Sequence, residues 1–469
     1  MKEARRIVDK LIVNGIIVPM SGDILLHGAI AIDNGKIVGI GEQIDILSVF
    51  SARETLDAKN MAVLPGFINT HFHATQNFLK GSRDDCELLS WIDNVSFPRI
   101  KVVVDQYKAG IGELHKHATI HAGIDLLKSG ITTSVNMEWA MLPEIVDTYE
   151  LLGMRFINVL TLTDVNTWTP PEAILSHDEY FSLADDLNAR CKSSKLNEFA
   201  YGIACPNSNT AELILKTRTA AYKKSIKIHI HLAETLYEMK SVRSKHLMTP
   251  TAYMELLGLW DKDVWAAHSI WLTDEDINIL KKYQVGIAHN PKCNMKIADG
   301  VAPIRKMLAK GLHVGLGIDS CAVSDNTDFF EAMRTAVFLQ RIDGMDATAI
   351  LGEDALVMAT IGGAAALGRE KELGSLEVGK EADIIFVDLR ACNIRPFNNI
   401  VNNLVFAANS SNIKAVLVAG DVLLWDGKLV KIDEAAALDA AEEYASYIFR
   451  KAGLQIPEYF SMKEFYEKR

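Results

Sequence analysis

Apolar positions along this chain follow two patterns. Between about residues 62 and 370, short unbroken apolar runs alternate with longer stretches of helical period. This spacing separates strands buried on both faces from amphipathic helices. Strands are predicted at 62–70 (AVLPGFINT), 130–137, 155–163, 199–205, 226–233 (IKIHIHLA), 264–268, 285–289 and 312–318 (LHVGLGI). Helices are predicted between them at 104–129, 143–153, 210–224, 274–283 and 301–310. Eight strands separated mainly by helices fit a closed α/β barrel, (β/α)8 in architecture. An open doubly wound sheet is the rival, but no Gly-rich dinucleotide turn follows the first strand.

The ends of the chain have a different texture. Before residue 62, apolar runs are broken by Asn14-Gly15 and Asn34-Gly35, the dipeptide most suited to a two-residue hairpin because both residues tolerate positive φ. The same texture returns at 381–389 (EADIIFVDL) and 413–429 (IKAVLVAGDVLLWDGKL), with turns at Gly420 and Asp426-Gly427. Chain termini commonly lie close together. Residues 1–61 and 371–430 are therefore expected to form one small composite β-sandwich beside a barrel spanning 62–370. Residues 431–469 open with an Ala- and Glu-rich run and are read as a C-terminal helical extension.

Composition narrows the function classes. The 469 residues are 49% hydrophobic, which suits a folded protein with a large core. A net charge of −11 disfavours a broad electrostatic contact with nucleic acid or anionic lipid. The six cysteines stand singly, at 86, 191, 205, 293, 321 and 392, with no CxxC pair. That argues against a thiolate zinc site or a disulfide scaffold and fits a reducing compartment. MKEARRIVDK lacks the apolar core of a signal peptide, so a cytoplasmic protein without a membrane or nucleic-acid partner is expected.

Most of the thirteen histidines invite packing roles. His115, His117 and His121 fall in a predicted helix, and His27, His177, His246 and His313 have no partner pattern. His71-Phe72-His73 differs, because it ends a strand and residues i and i+2 of a strand project to one face. His229-Ile230-His231 repeats the spacing and is followed by Glu234, while Asp319 ends the Gly-rich strand 312–318. Three imidazoles and one carboxylate would suit Zn²⁺ or Fe²⁺, and barrel strand ends converge in space however distant in sequence. His268 and His289 close the next two apolar segments, VWAAH and VGIAH.

These stretches resemble the amidohydrolase superfamily, and within it the mononuclear-metal aminohydrolases that include adenosylhomocysteine/methylthioadenosine deaminases and triazine hydrolases. The similarity spans nearly the whole chain and rests on LPGFINTHFHATQNFLKG (64–81), HIHLAETLYEM (229–239), AAHSIWLTDEDI (266–277), AHNPKCNMKIADGVAPIRKML (288–308) and LGIDS (316–320). It implies metal ligands at His71, His73, His231 and Asp319, a proton-shuttling Glu234, and His268 hydrogen-bonded to the attacking water or substrate. The strand-four segment YGIACPNS has no lysine that could be carboxylated to bridge two metals, which implies one divalent ion, zinc favoured and iron possible. A homodimer or higher homo-oligomer is also implied by the resemblance.

Departures from the nucleoside-deaminase pattern bear on substrate. Arg99 and Ile100 follow Pro98 where those relatives place a ribose-binding glutamate. Asn207 stands roughly where they carry a histidine, VLTLTD lacks an expected arginine, and Cys293 replaces a frequent serine. Hydrolytic deamination of a free base, pterin or triazine-like ring is accordingly expected ahead of a nucleoside. The alternatives are dechlorination or dealkylamination of a triazine-like ring, and deamination of adenosylhomocysteine or methylthioadenosine. A nonenzymatic metal-binding protein comes last, since Glu234 and His268 exceed what metal retention needs. In such a hydrolase the ion lowers the pKa of water from about 15.7 toward roughly 7. Glu234 would move protons, Asp319 would both bind metal and accept a water proton, and His268 would orient the nucleophile. Gln76, Trp91, Asn207, His289 and Asn290 are candidate pocket residues. Ser324, Asp325 and Asn326 are expected to shape the loop after the last strand.

Overall fold

Fully buried strands joined by amphipathic helices have one economical closure, and the chain adopts it. The computed structural model describes residues 5–167 and 169–455. Eight parallel strands stand side by side in chain order: Phe67–Asn69, Ile131–Glu138, Arg155–Leu162, Asn197–Ile203, Lys227–Leu232, Val264–His268, Gly286–His289 and Val314–Leu316. Backbone hydrogen bonds from Thr70 N to Leu316 O (2.9 Å) and from Asp319 N to His71 O (2.9 Å) join the eighth strand to the first. Several of the helices between strands begin at a Ser or Thr whose hydroxyl caps the first turn. Before His177–Lys192, Ser176 Oγ accepts from Glu179 N while Glu179 Oε2 accepts from Ser176 N, satisfying two otherwise orphaned donors.

The apolar run 62–70 does not form one strand. Met61–Pro65 pairs antiparallel with Ile384–Asp388 in a second sheet, whereas Phe67–Asn69 pairs with Ile131–Glu138 in the barrel. Gly66 is the crossing point. A Cβ there would lie 2.2 Å from the Thr132 side chain, so only glycine lets the chain pass. The helix expected over 104–129 is likewise two, Phe97–Lys108 and Glu113–Lys128, parted at Gly110 with φ of +69°.

The second sheet has nine strands drawn from both ends of the chain. The order runs Lys428–Leu429, Asp421–Trp425, Ile413–Val418, Ile384–Asp388, Met61–Pro65, Arg6–Ile17, Leu25–Asp33 and Lys36–Glu42, with Phe50–Asp57 also pairing Arg6–Ile17. The architecture is thus a barrel with an added β-sandwich built from N- and C-terminal strands. Asn34-Gly35 and Asp426-Gly427 are tight hairpin turns with positive φ at both residues. Asn14-Gly15 is not a hairpin. It lies inside Arg6–Ile17 as a bulge against Leu25–Asp33, and Asn14 Nδ2 is held by Asp57 Oδ1 at 2.9 Å.

The two sheets are bolted together at the N-terminal end of the barrel. Arg155 opens the third strand and donates to Asp383 (2.7 Å) and Glu381 (2.8 Å), which precede the strand Ile384–Asp388. A terminal helix, Glu434–Ala452, lies across helices Phe97–Lys108 and Glu113–Lys128, with Gln106 Nε2 donating to Tyr447 OH at 2.9 Å and Tyr444 stacked on His117. The part of the expected extension from 456 onward lies outside the described residues. Among the described residues, no helix is long and apolar enough to cross a membrane.

Candidate active site

The strand ends bring His71, His73, His231, Glu234, His268 and Asp319 together at the C-terminal mouth of the barrel, the face where barrel enzymes place their chemistry. His71 Nε2 and His73 Nε2 lie 3.3 and 3.5 Å from Asp319 Oδ1. The candidate ligand atoms of His71, His73 and Asp319 fall within 4.8 Å of one another, as do those of His71, His231 and His268.

The outer hydrogen bonds fix which nitrogen faces inward. His73 Nδ1 lies 2.6 Å from Met137 O, and His231 Nδ1 lies 2.7 Å from Ala204 O. A carbonyl can only accept, so each Nδ1 carries the proton and each Nε2 keeps its lone pair for the centre. His71 is set by a longer chain. His229 Nδ1 donates to Trp265 O (3.0 Å), so neutral His229 offers Nε2 as acceptor to His71 Nδ1 at 2.7 Å. The buried His71 Nε2 is then a lone pair with no hydrogen-bond partner among the described residues. Burial holds His71 and His73 well below the ordinary imidazole pKa, and burial followed by the nearby His268 brings His231 down to about 4. Neutral imidazoles with inward lone pairs beside a carboxylate fit a divalent ion of the zinc or iron type.

The acids are under the opposite pressure. Glu234 Oε1 lies 3.4 Å from His268 Nε2, and burial followed by the charge of Asp319 raises its pKa well above the usual carboxyl range. Asp299, also buried, is pushed up to about 9 by burial and then by Glu234. His268 is oriented by Asn294, whose Oδ1 accepts from Nδ1 at 3.0 Å, and its Nε2 also faces Asp319 Oδ2 at 3.9 Å. Backbone strain collects here. Ala233, His268, Ser269 and Asp319 all have φ between +49° and +66°, a region that costs non-glycine residues about 1–3 kcal/mol each.

A cavity enclosing about 580 Å³ of space, part of it open to solvent, lies above these groups. Gln76 and Trp91 line it, and each keeps a buried polar atom (Oε1 and Nε1) without a hydrogen-bond partner among the described residues. Asn207 and His289 stand outside the wall formed by the described residues; His289 is completely buried, with burial and then His268 lowering its pKa to about 3. Asn290 is also buried, near His268. Ser324, Asp325 and Asn326 lie on the flank, where Asp325 and Asn326 bind Lys296 and Lys292. Sequence reasoning missed Trp139, which lines the cavity with its ring 5.8 Å from His73 and donates Nε1 to Thr169 Oγ1 (2.7 Å). It also missed the orienting roles of His229 and Asn294. Their signals were present, in the doubled HxH and in NPKCN after His289.

Arg99 needs a correction of meaning. It is only 1% exposed, donates to Thr75 Oγ1 (2.5 Å), and lies 3.8 Å from Glu138 Oε2 and over the Trp139 ring. The side chain is turned toward Thr75 and Glu138 and away from the cavity, so it places no cation there, while the glutamate that the resemblance puts after Pro98 is still absent from this position.

Comparison with known proteins agrees with this geometry. The amidohydrolase family model matches residues 62–423. The chain is 34% identical to a 5'-deoxyadenosine deaminase of Methanosarcina barkeri, over 91% of this chain and 94% of that one. It is also 34% identical to a 5-methylthioadenosine/S-adenosylhomocysteine deaminase of Moorella thermoacetica, over 93% and 97% of the two chains. A zinc-bound crystal structure of an adenosine deaminase from Xanthomonas campestris superposes with a TM-score of 0.89 at 27% identity, covering 95% of this chain and 100% of that one.

Proposed function

The chain belongs to the amidohydrolase family and is a metal-dependent hydrolase of C–N bonds, and from that premise we propose that it deaminates the purine ring of a 5'-modified adenosine-type nucleoside. The observation that carries the reading is the placement of Glu234 against His268, beside the ligand cluster and facing the cavity. The nucleoside is preferred to a free base because the relatives similar over nearly the full chain are named for 5'-modified adenosines. Arg99, turned toward Glu138 and outside the cavity lining, does not obstruct a ribose.

His71, His73, His231 and Asp319 would hold the ion, with their tautomers already set by Met137 O, Ala204 O and the His229 relay. When bound, the ion supplies Lewis-acid activation of water at neutral pH. Glu234 takes the proton released as water adds to the amino-bearing ring carbon and gives it to the adjacent ring nitrogen. The proton of the added hydroxyl then passes, by way of Glu234, to the amino group; the carbonyl forms as the C–N bond breaks, and ammonia leaves. The raised pKa of Glu234 suits a group that must hold a proton as well as receive one. His268 Nε2 and Asp319 Oδ2 flank the oxygen path and orient the attack. Trp91 Nε1 can donate to the heterocycle and Gln76 Oε1 can accept from it, while Trp139 offers a flat face.

Ammonia release should be compared across 5'-deoxyadenosine, 5'-methylthioadenosine, S-adenosylhomocysteine, adenosine, adenine, guanine, a pterin and an aminotriazine. The nucleosides are expected to lead the free bases by at least about tenfold in kcat/KM, a difference of roughly 1.4 kcal/mol in transition-state binding. A free base, pterin or triazine in first place would reverse the substrate assignment while leaving the hydrolytic one intact.

A further inference from the structure

The turn that presents Glu234 is held by a carboxylate that does not face the cavity. Glu238 is 1% exposed. Its Oε1 accepts from Ala233 N at 2.9 Å and its Oε2 accepts from Glu234 N at 3.2 Å. Ala233 is in the left-handed region, with φ of +49°, and its carbonyl accepts from both Ile270 N (3.1 Å) and Trp271 N (3.0 Å). Those two residues follow His268 and Ser269 in the loop after the sixth strand. The same small knot of backbone therefore ties the Glu234 loop to the His268 loop.

Glu238 sits in the first turn of helix Leu236–His246, whose N-cap Thr235 accepts from Glu238 N. A glutamate at this third helical position ordinarily folds back to the N-cap backbone N–H and closes a capping box. Here it reaches past Thr235 to the two preceding N–H groups. Those donors point away from any strand or helix ladder, and left unpaired at this depth they would destabilise the turn. With both oxygens engaged, Glu238 is not placed to shuttle protons or to bind metal.

We infer that Glu238 is a positioning residue for Glu234: by accepting the Ala233 and Glu234 N–H groups it locks the strained turn and sets the approach of the Glu234 carboxyl to His268 and the reacting ring. The inference rests on the reading of Glu234 as the proton shuttle. A shuttle misplaced by about 1 Å loses rate on the order of 10²-fold without losing ground-state binding. The effect of loosening the clamp is thus on turnover, not on affinity for substrate or metal.

The test is Glu238→Gln, which keeps the shape but turns an NH₂ donor toward one of the two N–H groups. It is assayed zinc-loaded on the fastest substrate of the panel above. Turnover is expected to fall about 10–100-fold, with KM within about threefold of wild type and bound zinc unchanged. Affinity for a ring-hydrated purine nucleoside analogue should fall by the same factor as kcat, because that ligand engages Glu234 as the transition state does. If the glutamine variant does not accumulate folded, Glu238→Asp takes its place, keeping the charge while shortening the reach. A folded variant with kcat within twofold of wild type overturns the inference. So does a loss explained wholly by missing zinc or by a raised KM. Glu234→Gln serves as the control: wild-type turnover in that variant would sink the shuttle reading itself, whereas an inactive Glu234→Gln beside a fully active Glu238→Gln would sink only the clamp.

Discussion

Two groups of buried charge occupy opposite ends of the same barrel, and they are built by opposite rules. At the N-terminal end, Arg155 meets both oxygens of Asp383 (2.7 and 3.1 Å) and Glu381 (2.8 Å), and Asp383 accepts a further bond from Ala419 N (2.8 Å). Burial works against the guanidinium, but the two carboxylates outweigh it and raise its pKa. Every charge there has its answer inside the protein. At the C-terminal end, Glu234, Asp299 and Asp319 crowd together without a lysine or arginine bonded to them among the described residues, and the neighbouring imidazoles are held neutral by burial. Packing gains nothing from such a set. The unmet electrostatic demand, together with four left-handed strand-end residues, marks the end that is completed by something the chain does not supply.

Three changes sharpen the contrast. Asp319→Ala should abolish stoichiometric metal binding and lower activity by at least about 10³-fold, the several kcal/mol expected of a lost Lewis acid, with far-ultraviolet circular dichroism unchanged. Metal analysis of the purified variant decides it, and full occupancy would remove Asp319 from the ligand set. Arg155→Met should do the reverse. Stranding Asp383 and Glu381 is expected to cost about 3–5 kcal/mol in urea unfolding, with kcat of the folded enzyme within twofold of wild type. A variant of wild-type stability would mean that the joint is not held by charge.

The smallest effect concerns His115, a buried histidine outside the ligand set, which burial and then Arg99 lower to about 3. Because its folded pKa is below its unfolded value of about 6.5, the unfolded chain takes up a proton that the folded chain refuses. Stability is therefore lost as pH falls from 6.5 toward 3. Replacing it should remove that penalty, so the advantage of His115→Leu over wild type should grow by about 1.4 kcal/mol per pH unit below 6.5. Unfolding curves at pH 6 and 5 check this. A pH-independent difference between the two proteins would show that His115 is not held neutral.

The barrel was legible because strands buried on both faces leave unbroken apolar runs, and because residues such as His231 and Asp319 interrupt those runs only at their ends. Other features shared their signature with something else. His229 and His231 look identical in HIH, yet the structure gives one to the cavity and the other to His71. Met61–Pro65 and Phe67–Asn69 are both apolar and buried, so hydrophobicity could not show that they belong to different sheets. Asn14-Gly15 satisfied its positive φ in a bulge instead of a hairpin, because the strand continues between partners on both sides. Arg99 follows Pro98 where a ribose-binding glutamate is expected, and only the fold shows its side chain turned to Glu138 of the second barrel strand and away from the cavity.

The passage through Gly66 has a consequence for anyone wishing to cut this protein apart. One residue separates the end of Met61–Pro65 from the start of Phe67–Asn69, and Gly66 N is itself bonded to Asp383 O at 2.9 Å. No slack exists to sever. Excising the outer sheet would release the leading edge of the first barrel strand, four residues upstream of His71, so a minimal catalytic core cannot be had by trimming here. New termini belong instead at solvent-facing bends such as Asp426-Gly427, where neither sheet borrows its alignment from the other.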